Sequence, residues 1–322
     1  MKHHQCELKD IGYYVRAFTR LHVNPRQIGP SPHKPVLLLS ILEFFEANEI
    51  KLNQIEFSPR LVDRFAAIFA AVRGPYDRCN PVLPFFHLSS DRFWHLKAKQ
   101  GKEAVLSAVG QIRTQWQLHE LIEYAYVDEE LFTLLLERSA RGILRQALLD
   151  YWFHGSSSQT VESVLTEERE TIHYQNFIER CVQGELLQEA QPQLKEKVRS
   201  EAFRRSVREA YDYRCAACGW RVLLPNGNPL VEAAHLIQFA DNYDDDPRNG
   251  IALSPTYHDL MGANIIAPGP DLKWHVSTLI DPRIPDNRDL CALAGQRILL
   301  PRDKRYYPRR DALELRLKKL IR

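Results

Sequence analysis

The chain has 322 residues, of which 44% are hydrophobic and 26% charged, and its formal net charge is +2. This length exceeds one ordinary domain and predicts two core-bearing domains. Six cysteines are too few for a disulfide scaffold of this size, and residues 1–30 lack the apolar core of a signal peptide. No apolar run approaches the roughly 18–20 residues of a membrane span. We therefore expect a protein of the reducing cytoplasm with no membrane partner.

The first part of the chain predicts a mainly helical domain. Residues 31–46, "SPHKPVLLLSILEFFE", indicate a largely buried helix with Ser31 as its cap and Pro32 in its first turn. Residues 80–96 alternate between apolar and polar positions and predict a short β-hairpin. The fold expected for this region is therefore helical with one small hairpin.

A domain boundary is predicted near residue 155. Helical patterns continue over residues 101–153, and a Gly-Ser-Ser-Ser stretch then interrupts them. The charged segment that follows is typical of a helix linking two bodies. The predicted organisation is an α+β multidomain chain with parts at residues 1–155, 156–197 and 198–322.

The last part predicts two strands and a short helix. An Asn-Gly pair at residues 226–227 is a strong hairpin signal and places His235 on the second strand of a ribbon. Residues 250–254, "GIALS", indicate another strand, and a Ser-Pro pair then starts a short helix that carries His258. Asn249 lies in the loop between the two histidines.

Basic residues are concentrated in residues 302–322, which hold nine lysines and arginines against three acidic residues. Such a segment favours a polyanionic partner, and it is equally typical of a solvated face.

The order of His235, Asn249 and His258 resembles the HNH endonucleases, in particular a branch in which a helix with an "FR" pair precedes "RCAACG", "EAAHL" and "DPRNGIAL". The resemblance covers roughly residues 198–322. It implies a ββα-metal nuclease domain with His235 as general base, Asn249 holding the loop and the ring, and His258 as ligand of one divalent ion, Mg²⁺ or Mn²⁺. Neutral imidazole titrates near the operating pH and suits a base.

Two positions depart from the family pattern. Many HNH enzymes have a metal ligand where Ala234 stands, and the family often has aspartate where Gly262 stands. Glu232 is one candidate for the missing carboxylate, because hard divalent ions bind oxygen. The other candidates form an acidic loop, which is alternatively a solvated segment: Asp241, Asp244, Asp245 and Asp246.

Cys215 and Cys218 form a CxxC pair, whereas Cys291 has no metal-binding residue at suitable spacing. Structural zinc usually has four ligands. The sequence therefore favours two buried thiols over a zinc site, which distant residues would have to complete.

The first 155 residues carry a second resemblance through "RLHVNPRQIGPSPHKPVLLLSILE" and "LPFFHLSSDRFWHL". These motifs look like the sulfur-binding domain of type IV restriction endonucleases that recognise phosphorothioate DNA. The resemblance implies an apolar wall for sulfur made by Leu83, Pro84 and Phe85. His33 and Lys34 place cationic donors at a helix N-terminus, which already favours an anion.

The two resemblances together predict a modification-dependent restriction endonuclease of phage defence that acts on phosphorothioate-modified double-stranded DNA. Cleavage of both strands by an enzyme with one nuclease site implies a homodimer. One alternative is an HNH nuclease that reads another mark, such as a modified base. Another is a DNA-binding protein whose HNH fold has lost its metal, which Ala234 and Gly262 favour.

Overall fold

The computed structural model describes residues 9–23, 30–154, 156–185, 194–238 and 244–322. Contacts divide the chain into two compact units. The first comprises Met1–Arg169 with Leu224–Asn228, and the second comprises Glu170–Leu223 with Pro229–Arg322. No helix in the described ranges is long and apolar enough to cross a membrane.

The first unit is mainly helical, with one two-stranded antiparallel sheet. Its elements are α1 Ile11–Thr19, α2 His33–Glu46, α3 Pro59–Val72, α4 Val82–His87, β1 Trp94–Ala98, α5 Glu103–Ala108, α6 Gln115–Leu121, β2 Ile122–Val127, α7 Glu129–Leu136, α8 Arg138–Trp152 and the first part of α9 Ser156–Val182.

Helix α2 is the centre of this unit's core. Every residue from Lys34 to Phe45 is buried, because α2 is apolar on all sides and packs against α3 and α8. This confirms the prediction of a buried helix. Ser31 does not cap it: the Ser31 hydroxyl pairs with the His33 ring instead, and Pro32 occupies the N-cap position.

The hairpin predicted over residues 80–96 is wrong. Helix α4 and a 3-10 turn at Leu88–Asp91 fill most of this region, and only β1 is a strand. The partner of β1 is β2, which lies inside the region predicted to be helical. Short apolar runs do not distinguish a strand from a buried helix, and here a six-residue helix mimicked the alternation of a strand.

Helix α9 crosses the division between the two units. Val161 and Leu165 on its first part are fully buried in the first unit's core. The Arg169 guanidinium donates to the carboxylate of Glu43, whose side chain is itself buried on α2. By contacts the first unit therefore extends to residue 169, and the described part of segment 156–197 is mostly helix.

The second unit is built around a strand pair and the helices packed on it. Its remaining elements are α10 Glu196–Ala210, β3 Glu232–His235, β4 Gly250–Leu253, α11 Pro255–Gly262, β5 Ile266–Pro268, β6 Trp274–Val276, α12 Arg288–Ala292 and α13 Arg310–Lys318. Ser254 and Pro255 begin α11 as predicted, and the left-handed Asn264 follows its end.

Strand β3 pairs antiparallel with β4, and His235 lies opposite Gly250. The predicted ribbon around residues 226–227 contributes only one bridge, between Leu223 and Pro229. His235 therefore lies on a strand, as predicted, but its partner strand is β4. The order β3, β4, α11 gives the ββα arrangement.

Candidate functional site

His235 is held between its own strand and helix α10. The Phe203 ring lies parallel to the imidazole, with centroids 3.8 Å apart and planes 7° apart. Gly250 makes this contact possible, because a Cβ there would lie 2.4 Å from Val207 Cγ2 and 2.8 Å from the Phe203 ring. Sequence reasoning noted the "FR" pair but missed the role of Phe203.

Burial lowers the pKa of His235 to about 4, with the carboxylate of Asp244 acting in the opposite direction and His258 adding to the decrease. A charged imidazolium loses hydration when buried, so its neutral form is favoured. Near neutral pH the ring is therefore unprotonated and can accept a proton.

Asn249 fixes the loop that follows His235. Its side chain is fully buried; Oδ1 accepts from the Ile237 N–H at 3.0 Å, and Nδ2 donates to the Ile237 and Asp244 carbonyls. The Asn249 carbonyl accepts from the Leu236 N–H. The Asn249 amide thus connects the two ends of the loop. Of its two predicted roles, these bonds support holding the loop; none of them reaches the His235 ring.

His258 on α11 meets Glu232 on β3. The distance from His258 Nδ1 to Glu232 Oε2 is 2.6 Å. Glu232 and Ala234 are two residues apart on strand β3 and therefore share a face of it. The buried Ala234 offers no metal ligand on this face, and Glu232 supplies a carboxylate there.

An imidazole and a carboxylate that converge in this way fit a divalent ion, which takes nitrogen and oxygen ligands. Within the described ranges, no group of three or more His, Cys, Asp or Glu side chains is placed to hold a metal. A Cβ at Gly262 would have no atom within 4 Å, so the aspartate position of the family is open space here. These residues would provide two protein ligands.

The acidic loop is neither solvated nor directed at His258 in its described part. Arg309 pairs with Asp244, Arg199 with Asp245 at 2.7 Å, and Arg248 with Asp246 at 2.6 Å. Asp245 and Asp246 are buried. The prediction of a solvated loop is therefore wrong for these three aspartates, because arginines compensate their burial; Asp241 lies outside the described residues.

The carboxyl-terminal basic segment is partly neutralised within the second unit. Arg309 forms an ion pair with Asp244 of the acidic loop, and Arg305 pairs with Asp303. Arg310 pairs with Glu314 one turn later on α13. Fewer of the nine basic side chains are therefore available to a polyanion than the sequence alone indicates.

Cys215 is buried, Cys218 is half-buried, and both are free thiols. Both pack in the core of the second unit, and burial raises the pKa of Cys218. Their surroundings are those of structural thiols.

The first unit contains a cavity of about 540 Å³ that collects most of the predicted recognition residues. His33, Lys34, Leu83 and Pro84 line it. Phe85 does not line it, contrary to the implication of the resemblance. Its ring is fully buried and packs edge-on against Phe57 and Trp94, because helix α4 turns this side chain into the core. Sequence reasoning missed other lining residues, among them His22, His87, Ser90 and Gln111.

The cations at the start of α2 are already compensated. Lys34 Nζ donates to Asp91 Oδ2 and to Ser90, and the Asp91 side chain is only 3% exposed. Asp91 also accepts from the His22 backbone. Lys34 therefore already has an anionic partner, and Asp91 was missed because it lies 57 residues from Lys34.

Comparison with known proteins gives two family matches. Residues 13–164 match the model of the ScoMcrA-like DNA sulfur-binding domain, and residues 215–267 match that of the HNH endonucleases. No curated protein matches the chain.

Three solved structures are similar to parts of the chain. The modification-dependent TagI restriction endonuclease is 19% identical over 41% of this chain and 40% of its own, with a TM-score of 0.29. The sulfur-binding domain of SprMcrA, complexed with phosphorothioated DNA, is 16% identical over 48% and 96%, with a TM-score of 0.35. The type IV phosphorothioation-dependent restriction endonuclease ScoMcrA is 13% identical over 95% and 99%, with a TM-score of 0.29. The chain spans less than half of the TagI enzyme.

The fold and the two matches define a multidomain α+β protein that joins a DNA-recognition domain to a nuclease domain. Residues 13–164 carry the match to the ScoMcrA-like DNA sulfur-binding domains and residues 215–267 the match to the HNH endonucleases, and each match covers less than half of the chain. The two resemblances and the fold class predicted from the motifs are confirmed.

Proposed function

We propose that this protein is a type IV restriction endonuclease that recognises phosphorothioate-modified duplex DNA and hydrolyses phosphodiester bonds near the mark. The observation that carries the proposal is the pairing in one chain of a sulfur-binding domain with an HNH site in which His235, Asn249, His258 and Glu232 are brought onto one ββα unit.

In the proposed reaction His235 accepts a proton from the attacking water. The water oxygen bonds to phosphorus and the bond to the 3′ oxygen breaks. The leaving 3′ oxygen takes a proton from solvent, which leaves 3′-OH and 5′-phosphate ends. The low pKa of His235 keeps the ring neutral before substrate binds. A bound phosphodiester places negative charge nearby, which favours the imidazolium and raises that pKa during the reaction.

His258 and Glu232 would hold the divalent ion, Mg²⁺ or Mn²⁺. Such an ion, when bound, stabilises negative charge on the phosphate and the leaving oxygen. With two protein ligands the site leans on substrate phosphate for the rest of its coordination, so activity needs millimolar metal.

Recognition is assigned to the cavity of the first unit. Sulfur is larger, softer and less hydrated than oxygen, so the apolar wall of Leu83 and Pro84 favours it. Gln111 lines the same space, and its amide N–H groups suit the remaining phosphate oxygens. Cutting both strands would require two copies of the chain, which we propose to be a homodimer.

Cleavage of matched plasmids tests this function. The protein is incubated with phosphorothioate-modified and unmodified plasmid, with Mg²⁺ or Mn²⁺ and with excess EDTA. We expect cutting of the modified plasmid only, its loss in EDTA, and its loss in His258→Ala. Cutting of both plasmids, or cutting that persists in EDTA, contradicts the proposal.

Binding titrations test the cavity separately from the chemistry. In EDTA the full chain should bind a phosphorothioate duplex at least about tenfold more tightly than its all-oxygen twin, a difference of about 1.4 kcal/mol. Pro84→Gly should reduce this preference with little effect on all-oxygen binding. Equal affinity of the wild-type protein for both duplexes would favour a nuclease that reads another mark.

A further inference from the structure

We propose that Phe203 is a positioning residue for the nuclease reaction: its ring fixes the plane in which His235 presents its imidazole to water. This inference rests on the proposed function, because it concerns the same general base. It adds a residue of α10, which lies before both strands of the ββα unit in the chain.

The geometry is a full-face stack. The two ring planes differ by 7° and the centroids lie 3.8 Å apart, so the rings are in van der Waals contact across their faces. Aromatic pairs more often adopt offset or edge-to-face arrangements. A parallel overlap at this distance is therefore held in place by the surrounding packing.

That packing is specific on both sides of Phe203. The Phe203 side chain is fully buried, and Gly250, which lies opposite His235 in the ladder, leaves the space that the ring tip occupies. Any side chain at position 250 would enter the volume held by Phe203 and Val207.

A stacked wall restricts the imidazole in a useful way. Rotation about the Cβ–Cγ bond of histidine is intrinsically broad, so an unconfined ring samples many orientations. Against the Phe203 face only orientations close to parallel avoid overlap. A base that must meet a water in line with phosphorus gains rate from such confinement, since small misplacements cost large factors.

The same face helps the charged form of His235 that arises during the reaction. The face of an aromatic ring attracts a cation, and His235 becomes an imidazolium when it takes the proton. Burial keeps the resting ring neutral, and the Phe203 face then supports the charge once it forms.

Two variants of the full chain separate positioning from packing. Phe203→Leu removes the flat face and keeps an apolar side chain. Val207→Ala, one turn further along α10 and packed against the same Gly250, is the matched control for lost core packing. Thermal melts identify how much stability each variant loses.

We expect Phe203→Leu to lower kcat on modified plasmid about tenfold or more while the Kd for modified duplex in EDTA stays within about twofold. Val207→Ala should keep the wild-type kcat despite a comparable loss in melting temperature. A kcat for Phe203→Leu equal to that of Val207→Ala overturns the proposal.

An NMR measurement tests whether the Phe203 and His235 rings are stacked, and it does not depend on nuclease activity. In histidine-labelled protein without metal or DNA, the ring protons of His235, assigned with His235→Gln, should be shifted upfield by the Phe203 ring current in the wild type. The shift should disappear in Phe203→Leu. Unchanged His235 resonances in Phe203→Leu would overturn the stacking proposal. A wild-type enzyme that cuts no plasmid would refute the proposed function instead, so the two failures are distinguishable.

Discussion

His235 is a base whose surroundings keep it neutral well below the pH at which histidine usually titrates. Because burial lowers its pKa to about 4, the free enzyme should retain its active, unprotonated base as pH falls through 6.5, the ordinary value. At saturating metal, kcat/KM should therefore stay nearly constant from pH 8 to about pH 5.5, and kcat should decline at a higher pH than kcat/KM because bound phosphate raises the pKa.

The measurement is a pair of pH–rate profiles on modified plasmid. His235→Ala should reduce kcat by about 10²-fold or more at every pH with little effect on DNA binding. A wild-type kcat/KM that already halves near pH 6.5 would show that the pKa of His235 is not lowered in the free enzyme, or that another group controls the rate.

The buried ion pair between Lys34 and Asp91 predicts how the free energy of unfolding changes when one or both partners are replaced. Lys34→Met leaves the Asp91 carboxylate, 3% exposed, without its ammonium partner, and such a loss costs about 3–5 kcal/mol. Urea denaturation should detect it. The double variant Lys34→Met with Asp91→Asn should recover most of the stability, since no buried charge is then left unpaired.

The same double variant tests whether Lys34 acts as a phosphate-binding cation. Because Asp91 neutralises it, the slope of log K against log salt for all-oxygen duplex should hardly change. A decrease by about one phosphate contact would mean that Lys34 leaves Asp91 for DNA.

Individual chemistry-bearing residues could be predicted from sequence where their order along the chain is itself informative. His235, Asn249 and His258 fall within a short segment whose turn and cap signals place them on a strand, a loop and a helix. Phe203 and Asp91 could not be found in this way, because each meets its partner only after separate elements pack together.

At the scale of elements, helix α11 offers a test of the metal site. Gly262 lies one turn after His258 on the same face, and a side chain there meets no atom within 4 Å of its Cβ. Gly262→Asp should therefore add a carboxylate ligand without disturbing the fold, and the Mg²⁺ concentration for half-maximal cutting should fall several-fold. Gly262→Asn, which lacks the charge, should give little gain; an equal effect of both substitutions would exclude ligation.

The elements themselves were predictable where caps or long apolar runs mark them. The buried α2 followed from its apolar run, and the start of α11 followed from the Ser254-Pro255 pair. Helix α4 and strand β2 did not, because both are only six residues long. At that length tertiary packing, not periodicity, decides between helix and strand.

At the scale of the whole molecule, the extent of the first domain can be tested with fragments. A fragment of residues 1–155 lacks Val161 and Leu165, which are buried in its core, and also lacks Arg169, which pairs with Glu43. Each buried aliphatic side chain contributes about 1.5–3 kcal/mol. The fragment of residues 1–169 should therefore be more stable in urea by several kcal/mol.

The matched control is the longer fragment with Val161→Ala and Leu165→Ala, which should lose most of that advantage. Equal stability of residues 1–155 and 1–169 would place the domain boundary at residue 155 after all and would make the first turns of α9 a linker.

The ion pair between Arg309 and Asp244 has a consequence for the order of events during protein synthesis. The residues assigned to the reaction all precede Arg309 in the chain, yet the loop between His235 and Asn249 gains this anchor only after ribosomes have passed residue 309. Arg309 also donates its backbone N–H to the Arg248 carbonyl, next to Asn249. The loop beside Asn249 therefore takes up its full set of contacts only when the carboxyl-terminal segment that carries Arg309 has folded against it.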